Sequence, residues 1–363
     1  MRKGVVAINR DCSISFVVIA YNEADNIART LASISALEGL GSHEVIVVDD
    51  GSRDRTAQVV ARIAAKNPSV RLIKLGRNRG RGYARSRGIA EAAGELIATI
   101  DADIILPPDW LALARVALHN HDVVGGTAVP DGDVAYLHKR FRLAPRLVSH
   151  TKPVTGSNAL YRRDVFDVVK FDPALREGED IALTHAAEAN GLSLATVPGL
   201  LVRHEESKTL GQALSWLFRS GCGATRQLII YREVRQPDLA AGAFVGAAAL
   251  GIYAAKRGRR FAGVALPVGL IMVASVEHVR SRFEIPRSRW HKVVPVVATD
   301  SAMLTAYFAG RLVGLSALWR FSKSRHRLTA KPKRHWDLSS QNGNVPHYDV
   351  SKLPVTRAGR NKG

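Results

Sequence analysis

Glu44-Val45-Ile46-Val47-Val48-Asp49-Asp50-Gly51-Ser52 decides the fold. A short apolar, β-branched run bounded by turn residues reads as a buried parallel strand, and this one delivers two adjacent carboxylates at its carboxyl end. Glu95-Leu96-Ile97-Ala98-Thr99-Ile100 repeats the pattern and ends in Asp101-Ala102-Asp103, while Ile14 to Ala20 ends in Tyr21-Asn22-Glu23. Between these runs the spacing predicts helices over Asp25 to Leu37, Asp54 to Lys66 and Gly82 to Ala93, with Ser52 or Asp54 as N-cap of the second. Strand and helix alternate. The expected architecture is therefore α/β: a mostly parallel sheet covered by helices, with a ligand crevice at the carboxyl ends of the strands.

The 363 residues carry a formal charge of +20, unevenly placed. Residues 1–230 hold 29 Lys and Arg against 25 Asp and Glu, a net +4, whereas residues 231–363 hold 23 against 7, a net +16. That basic third also contains three apolar stretches, Leu239 to Ala255, Phe261 to Val276 and Val293 to Leu318, the last with Asp300 and Arg311 inside it. A buried helical subdomain is one reading. The flanking clusters Lys256-Arg257-Gly258-Arg259-Arg260, Arg280 to Lys292 and Arg320 to Arg327 favour a membrane, because they suit anionic headgroups. Every loop is basic, so the positive-inside rule gives no alternation; three full crossings, two spans plus an interfacial helix, or a set of re-entrant segments fit equally.

The chain divides on these grounds into a catalytic domain, 1–230; a hydrophobic and basic helical membrane-associated region, 231–325; and a basic tail, 326–363, whose polar composition predicts disorder. The start of the chain shows no signal-peptide pattern, so the catalytic part is expected on the cytosolic face of the cytoplasmic membrane. Cys12 and Cys222 are the two cysteines and lack metal-ligand spacing, which argues against a disulfide framework or a zinc site.

In an extended strand residues i and i+2 share a face, so Asp101 and Asp103 are expected to address one ligand together. Two hard oxygen donors suit Mg²⁺ or Mn²⁺ on a diphosphate. Gly51 and Ser52 have a plainer use, in a tight turn and a helix cap. Two adjacent carboxylates repel each other unless one is occupied by a donor, so Asp49-Asp50 is harder to explain structurally.

Taken in order, Tyr21-Asn22-Glu23, Val47-Val48-Asp49-Asp50-Gly51-Ser52-x-Asp54-x-Thr56, Asn78-x-Gly80, Ala84-Arg85-x-x-Gly88 and Asp101-x-Asp103 resemble the nucleotide-sugar half of family 2 glycosyltransferases of the GT-A fold. Downstream, Thr155-Gly156-Ser157-Asn158-Ala159-Leu160-Tyr161-Arg162-Arg163 is similar to that family's acceptor-side segment, Glu177-Gly178-Glu179-Asp180 to its Glu-Asp motif, and Val202-Arg203-His204 to the His that follows. The resemblance implies an inverting, metal-dependent hexosyltransferase. Glu23 and Asp50, beside Tyr21, would bind the nucleoside, Asp101 the ribose and Asp103 the metal. Asp180 would be the general base, and Glu179 would orient it or contact the sugar. Ser157 and Asn158 would meet substrate, and Arg85 would neutralise phosphate charge. His204 would complete the metal shell or touch the diphosphate, though a single His after an apolar strand is also a common structural residue.

The implied partners are a nucleoside diphosphate sugar, UDP- or GDP-hexose, a lipid-linked, glycolipid or cell-surface polysaccharide acceptor, and the membrane, with no nucleic acid. Gln212, Trp216 and Arg219 do not form the Gln-x-x-Arg-Trp motif of processive synthases, which points to transfer of one sugar at a time. Gly211 to Arg232 reads as an amphipathic helix. Two rivals remain: a nucleotidyltransferase acting on sugar phosphates, which usually has a Gly-rich basic loop after its first strand, and a non-enzymatic basic membrane-binding protein.

Overall fold

The computed structural model describes residues 13–130, 133–145, 156–205, 208–231, 236–285 and 291–316. Cys12, Thr155 and the tail lie outside them. The described residues form two compact units, one from residues 13–128 and 156–205, the other from 129–130, 133–145, 208–231, 236–285 and 291–316.

The first unit is an α/β layer structure. Its strands are β1 (Ile14–Ala20), β2 (His43–Asp49), β3 (Val70–Lys74), β4 (Leu96–Asp101), β5 (Ile104–Ile105), β6 (Val123–Val129), β8 (Asn158–Arg162) and β9 (Leu194–His204), in the order β3-β2-β1-β4-β8-β6-β9-β5. β1, β2, β3 and β4 pair in parallel, whereas β4 with β8, β6 with β8 and β5 with β9 are antiparallel. Residues of β1 pointing one way join a core with α1 (Ile27–Ser35), α2 (Thr56–Ala64) and α4 (Trp110–Leu118); those pointing the other way pack with α3 (Arg81–Glu91), α6 (Val165–Val168) and α7 (Glu179–Ala189). Both faces are covered, which is why the strands read as continuous apolar runs rather than alternating ones.

The chain leaves β1 in one direction to β2 and β3 and returns on its other side to β4, so β1 sits at the switch point where ligands of such sheets bind. Register makes this concrete. Ala20 of β1 is level with Asp49, and Ile19 is level with Asp101, so the two acid clusters flank the carboxyl end of β1 instead of lying on adjacent strands. At about 4.8 Å per strand they are separated by roughly 10 Å, the scale of a nucleoside.

Two sequence expectations need correction. Ser52 does not cap α2; Asp54, just before its N-cap Arg55, does hold the first helical N–H, with Oδ1 accepting from Thr56 N at 2.9 Å. Ser52 Oγ instead accepts from Asn22 N at 2.9 Å. Asp103 does not continue β4, because residues 102 and 103 form a turn: Ala102 N donates to Ile19 O at 3.2 Å and Ala102 O accepts from Thr30 Oγ1 at 2.7 Å. The chain bends there, so the two aspartates reach their partners by a turn and not by strand alternation.

The second unit contains α5 (Asp133–Phe141), β7 (Ala144–Pro145), α8 (Leu210–Tyr231), α9 (Gln236–Lys256), α10 (Arg260–Arg282), β10 (Phe283–Glu284) and α11 (Val293–Ser316), with β7 and β10 antiparallel. Its core gathers Leu137, Leu217, Val279, Phe283, Val296 and Met303. Three of its helices are long and apolar enough to cross a membrane, over Leu239–Lys256, Gly263–Arg282 and Val293–Leu315, in agreement with the stretches marked by composition. Phe261, Val264, Val273 and Val294 expose most of their surface. The charges inside the last stretch are buried in protein: Asp300 accepts from Ser275 Oγ at 2.7 Å and pairs with His278 Nδ1 at 2.8 Å, while Arg311 lies over the Tyr307 ring at 5.6 Å. Ionisable groups in spanning helices take this inward, partnered arrangement.

Candidate active site

The loops after β1 and β2 hold each other. Asn22 Oδ1 accepts from Arg53 N at 2.8 Å, Thr56 Oγ1 accepts from Glu23 N at 2.8 Å, and Asp54 Oδ2 accepts from Ala24 N at 3.1 Å. Asp54 Oδ1 also takes Thr56 N at 2.9 Å and Thr56 Oγ1 at 2.5 Å. Burial works to raise the Asp54 carboxyl, but these donors outweigh it and hold its pKa below the ordinary carboxylate value. Ser52, Asp54 and Thr56 are thereby explained as the staple that shapes the nucleoside end. Gly51 is required there: its φ is +74°, and a Cβ would lie 2.5 Å from the Arg77 backbone.

Asp50, 5% exposed, accepts from the backbone of the Asn78-x-Gly80 segment, with Arg79 N at 2.7 Å and Gly80 N at 2.9 Å. Its pKa is nevertheless raised: burial dominates and Asp49 adds to it, against the pull of the two N–H groups and Arg176. Asp49 accepts from Ser52 N at 3.1 Å, so both members of the pair have donors. Glu23 accepts from Asn26 Nδ2 at 2.8 Å, and Tyr21 stands 41% exposed at the end of β1.

On the other side of β1, Asp101 Oδ1 accepts from Arg85 Nη2 at 2.6 Å, and Arg85 Nη1 bonds Glu179 Oε1. Glu179 and Asp180 open α7; Glu179 is buried, not the solvated helix end that its acidic neighbourhood would permit. Asp180 is half-buried beside it and accepts from Ile181 N at 2.8 Å. Asp103 Oδ2 meets His204 Nε2 at 2.8 Å, and Glu205 N donates to Asp103 O at 2.7 Å, which ties the end of β9 to the turn. Ser157 O accepts from Asp101 N at 3.3 Å. Asn158 is placed differently: it is fully buried, accepting from Trp110 Nε1 at 2.7 Å and donating to Leu200 O at 3.3 Å.

Arg81, one of five arginines between residues 77 and 87, also stands among these acids. It keeps access to solvent at the start of α3, and desolvation acts to lower its pKa. The fields of Asp101, Asp180, Asp103 and Glu177 more than reverse this and raise it. The available signal was helical spacing, since Arg81 and Arg85 are four residues apart and share a face.

Among the described residues no three His, Cys, Asp or Glu side chains form a metal cluster. Asp103 and His204 supply one carboxylate and one imidazole at contact distance, a donor pair that fits a divalent cation taking its remaining ligands from phosphate oxygens.

The model of the family described as glycosyl transferase family 2 matches residues 15–169, which hold both acid clusters. This chain carries a family 2 glycosyltransferase domain. Among curated relatives, the domain is 40% identical over 217 residues to the succinoglycan biosynthesis protein ExoO of Rhizobium meliloti, covering 53% of this chain and 60% of that one. It is 34% identical over 143 residues to an undecaprenyl-phosphate 4-deoxy-4-formamido-L-arabinose transferase of Edwardsiella ictaluri, covering 38% and 44%. A dolichol-phosphate mannosyltransferase of Pyrococcus furiosus is 29% identical over 201 residues, with 54% of each chain covered. The chain thus spans roughly half the length of the curated relatives it matches. Among solved structures, the mannosyltransferase of Pyrobaculum calidifontis, in complex with GDP-Man and Mn²⁺, shares the fold with a TM-score of 0.51 at 20% identity, over 83% of this chain and 86% of that one. The GT-A architecture of the family 2 domain is therefore established.

Proposed function

We propose that this protein is an inverting glycosyltransferase that moves a single hexose from a UDP- or GDP-sugar to a lipid-linked, glycolipid or cell-surface polysaccharide acceptor at the cytosolic face of the membrane. One observation carries the reading: the acids after β4 and the two acids that open α7 share the cations of α3, Arg85 by contact with Asp101 and Glu179 and Arg81 through the fields of Asp101, Asp103 and Asp180. Donor-binding acids and a candidate base thus face one place.

Tyr21, Glu23 and Asp50 bind the nucleoside, Asp101 holds the ribose, and Ser157 and Asn158 shape the acceptor side. Asp103 and His204 hold a divalent cation, which when bound supplies positive charge to the departing diphosphate. Asp180 takes the proton of the acceptor hydroxyl. The hydroxyl oxygen forms its bond to the anomeric carbon as the bond from that carbon to the diphosphate oxygen breaks, and the nucleoside diphosphate leaves with the electron pair. A single displacement inverts the anomeric centre. Arg81 sits among the acids and offsets their mutual repulsion. The lipid-linked acceptor is supported by the three apolar helices on the same chain and by relatives whose names carry undecaprenyl phosphate and dolichol phosphate.

The test is nucleotide release from a panel of nucleoside diphosphate sugars by the detergent-solubilised full chain with Mn²⁺ or Mg²⁺. Asp180→Asn should bind donor as the parent does and lose about 10²–10⁴-fold in turnover. Parent-like turnover in that variant would remove the base.

A further inference from the structure

Arg85 and Glu179 are each 2% exposed and bonded to each other, and the second amino group of Arg85 reaches Asp101. The guanidinium has been given its own space. A Cβ on Gly156 would lie 2.9 Å from its central carbon, and the Phe171 ring centroid is 5.7 Å away on the α6–α7 side of the sheet. Enclosed in this way, Arg85 presents no open face to a diphosphate; its charge is spent on two carboxylates of the protein. Those two carboxylates belong to different segments. Asp101 ends β4 two residues before Asp103, and Glu179 is the neighbour of Asp180 at the first turn of α7.

We infer that Arg85 is a positioning residue: its planar fork ties the β4 turn to the first turn of α7, and so fixes the Asp180 carboxylate relative to the donor-binding acids, with Glu179 as its grip on the helix. This rests on the glycosyltransferase reading for what Asp180 and Asp101 do, but the link itself does not. A planar fork with two diverging N–H groups spans two carboxylates; an ammonium on a flexible stem carries the same charge and satisfies one at a time. Arg85→Lys is therefore the discriminating variant, and Glu179→Gln removes the grip with little change of shape.

Two measurements on the full chain in detergent test this. The first is amide hydrogen exchange at residues 101–105 and 178–183, which needs no activity. Arg85→Lys should speed exchange in both segments at least tenfold while the strands of the sheet keep parental protection. Unchanged exchange, or a change in one segment only, would overturn the link. The second is kinetic. Parent nucleotide release establishes the glycosyltransferase reading by itself. Given that, Arg85→Lys and Glu179→Gln should lower kcat for transfer at least tenfold, with the Kd for the free nucleoside diphosphate and Mn²⁺ within threefold of the parent. Loss of nucleotide affinity matching the loss of turnover would make Arg85 a donor ligand instead. A lowered Tm with unchanged kcat would make the triad a structural brace only.

Discussion

Asp50 has both oxygens engaged by backbone N–H groups from the segment that carries Gly80, inside a buried pocket. An amide there keeps one acceptor and turns a donor toward a donor. Asp50→Asn should cost about 1–3 kcal/mol of stability, the usual price of a buried bond lost with its partner left unsatisfied. A lowered thermal midpoint, together with weaker nucleotide binding, is the expected result; an unchanged midpoint would mean that residues 79 and 80 find other acceptors. Arg81 calls for a different outcome. It is solvent-accessible and its role is charge, so Arg81→Gln should leave the midpoint within about 0.5 kcal/mol of the parent. Removing its charge leaves the repulsion among Asp101, Asp103 and Asp180 uncompensated, so kcat/KM for transfer should fall at least tenfold. Parental kcat/KM in that variant would detach Arg81 from the site.

At the scale of elements, the loop after β1 depends on the one after β2 through Asp54, whose lowered pKa is a statement about acid stability. Its ionised form is favoured in the fold, so its contribution is complete above the unfolded value of 3.8 and is lost as the pH falls through the lower native value. Asp54→Asn should flatten the acid limb of the stability curve in that window, read from thermal midpoints against pH. An equally steep limb would place the acid lability elsewhere. These staples also mark the limit of what the sequence made legible. The helices over Asp25 to Leu37, Asp54 to Lys66 and Gly82 to Ala93 follow from local spacing, and the structure places them within two residues of those bounds at each end. The part played by Ser52 does not, because its hydroxyl serves a loop thirty residues away, to which Asp54 also gives one of its two oxygens. The turn at Ala102 is hidden for the same reason, being set by Ile19 O and Thr30 Oγ1. Arg85 and Glu179 are 94 residues apart, so no spacing rule could have paired them, whereas the acids at strand ends were visible because burial writes strands into composition locally.

The second unit has its own close contact. α8 meets α11 through small residues: Cys222 Sγ donates to Gly310 O at 3.1 Å, and a Cβ on Gly310 would lie 1.9 Å from Phe218 O. Backbone cannot yield by that much, so Gly310→Val should separate the two helices and cost about 1–3 kcal/mol or more. A parental midpoint in detergent would show that the helices are not packed this way.

For the whole molecule, charge and hydropathy make different predictions about how the chain is held at a bilayer. The net +16 of residues 231–363 would hold it by electrostatic adsorption alone, and such binding is screened within about 8 Å at physiological salt. The helices argue for insertion. Leu239–Lys256 and Gly263–Arg282, of 18 and 20 residues, reach about 27–30 Å at 1.5 Å per residue, the thickness of the hydrocarbon core. Their windows are only 6% and 11% buried within the protein, so most of that apolar surface has no protein cover. The third, Val293–Leu315, is 33% buried, and its Asp300 and Arg311 turn inward. Burying the exposed apolar side chains in lipid gains on the order of 25 cal/mol per Å², which salt does not screen. Membranes carrying the full chain should therefore retain it through washes with high salt and alkaline carbonate and release it only into detergent. Release by salt would reduce the helices to a surface layer and withdraw the argument for a lipid-linked acceptor, while leaving the family 2 domain and its acids untouched.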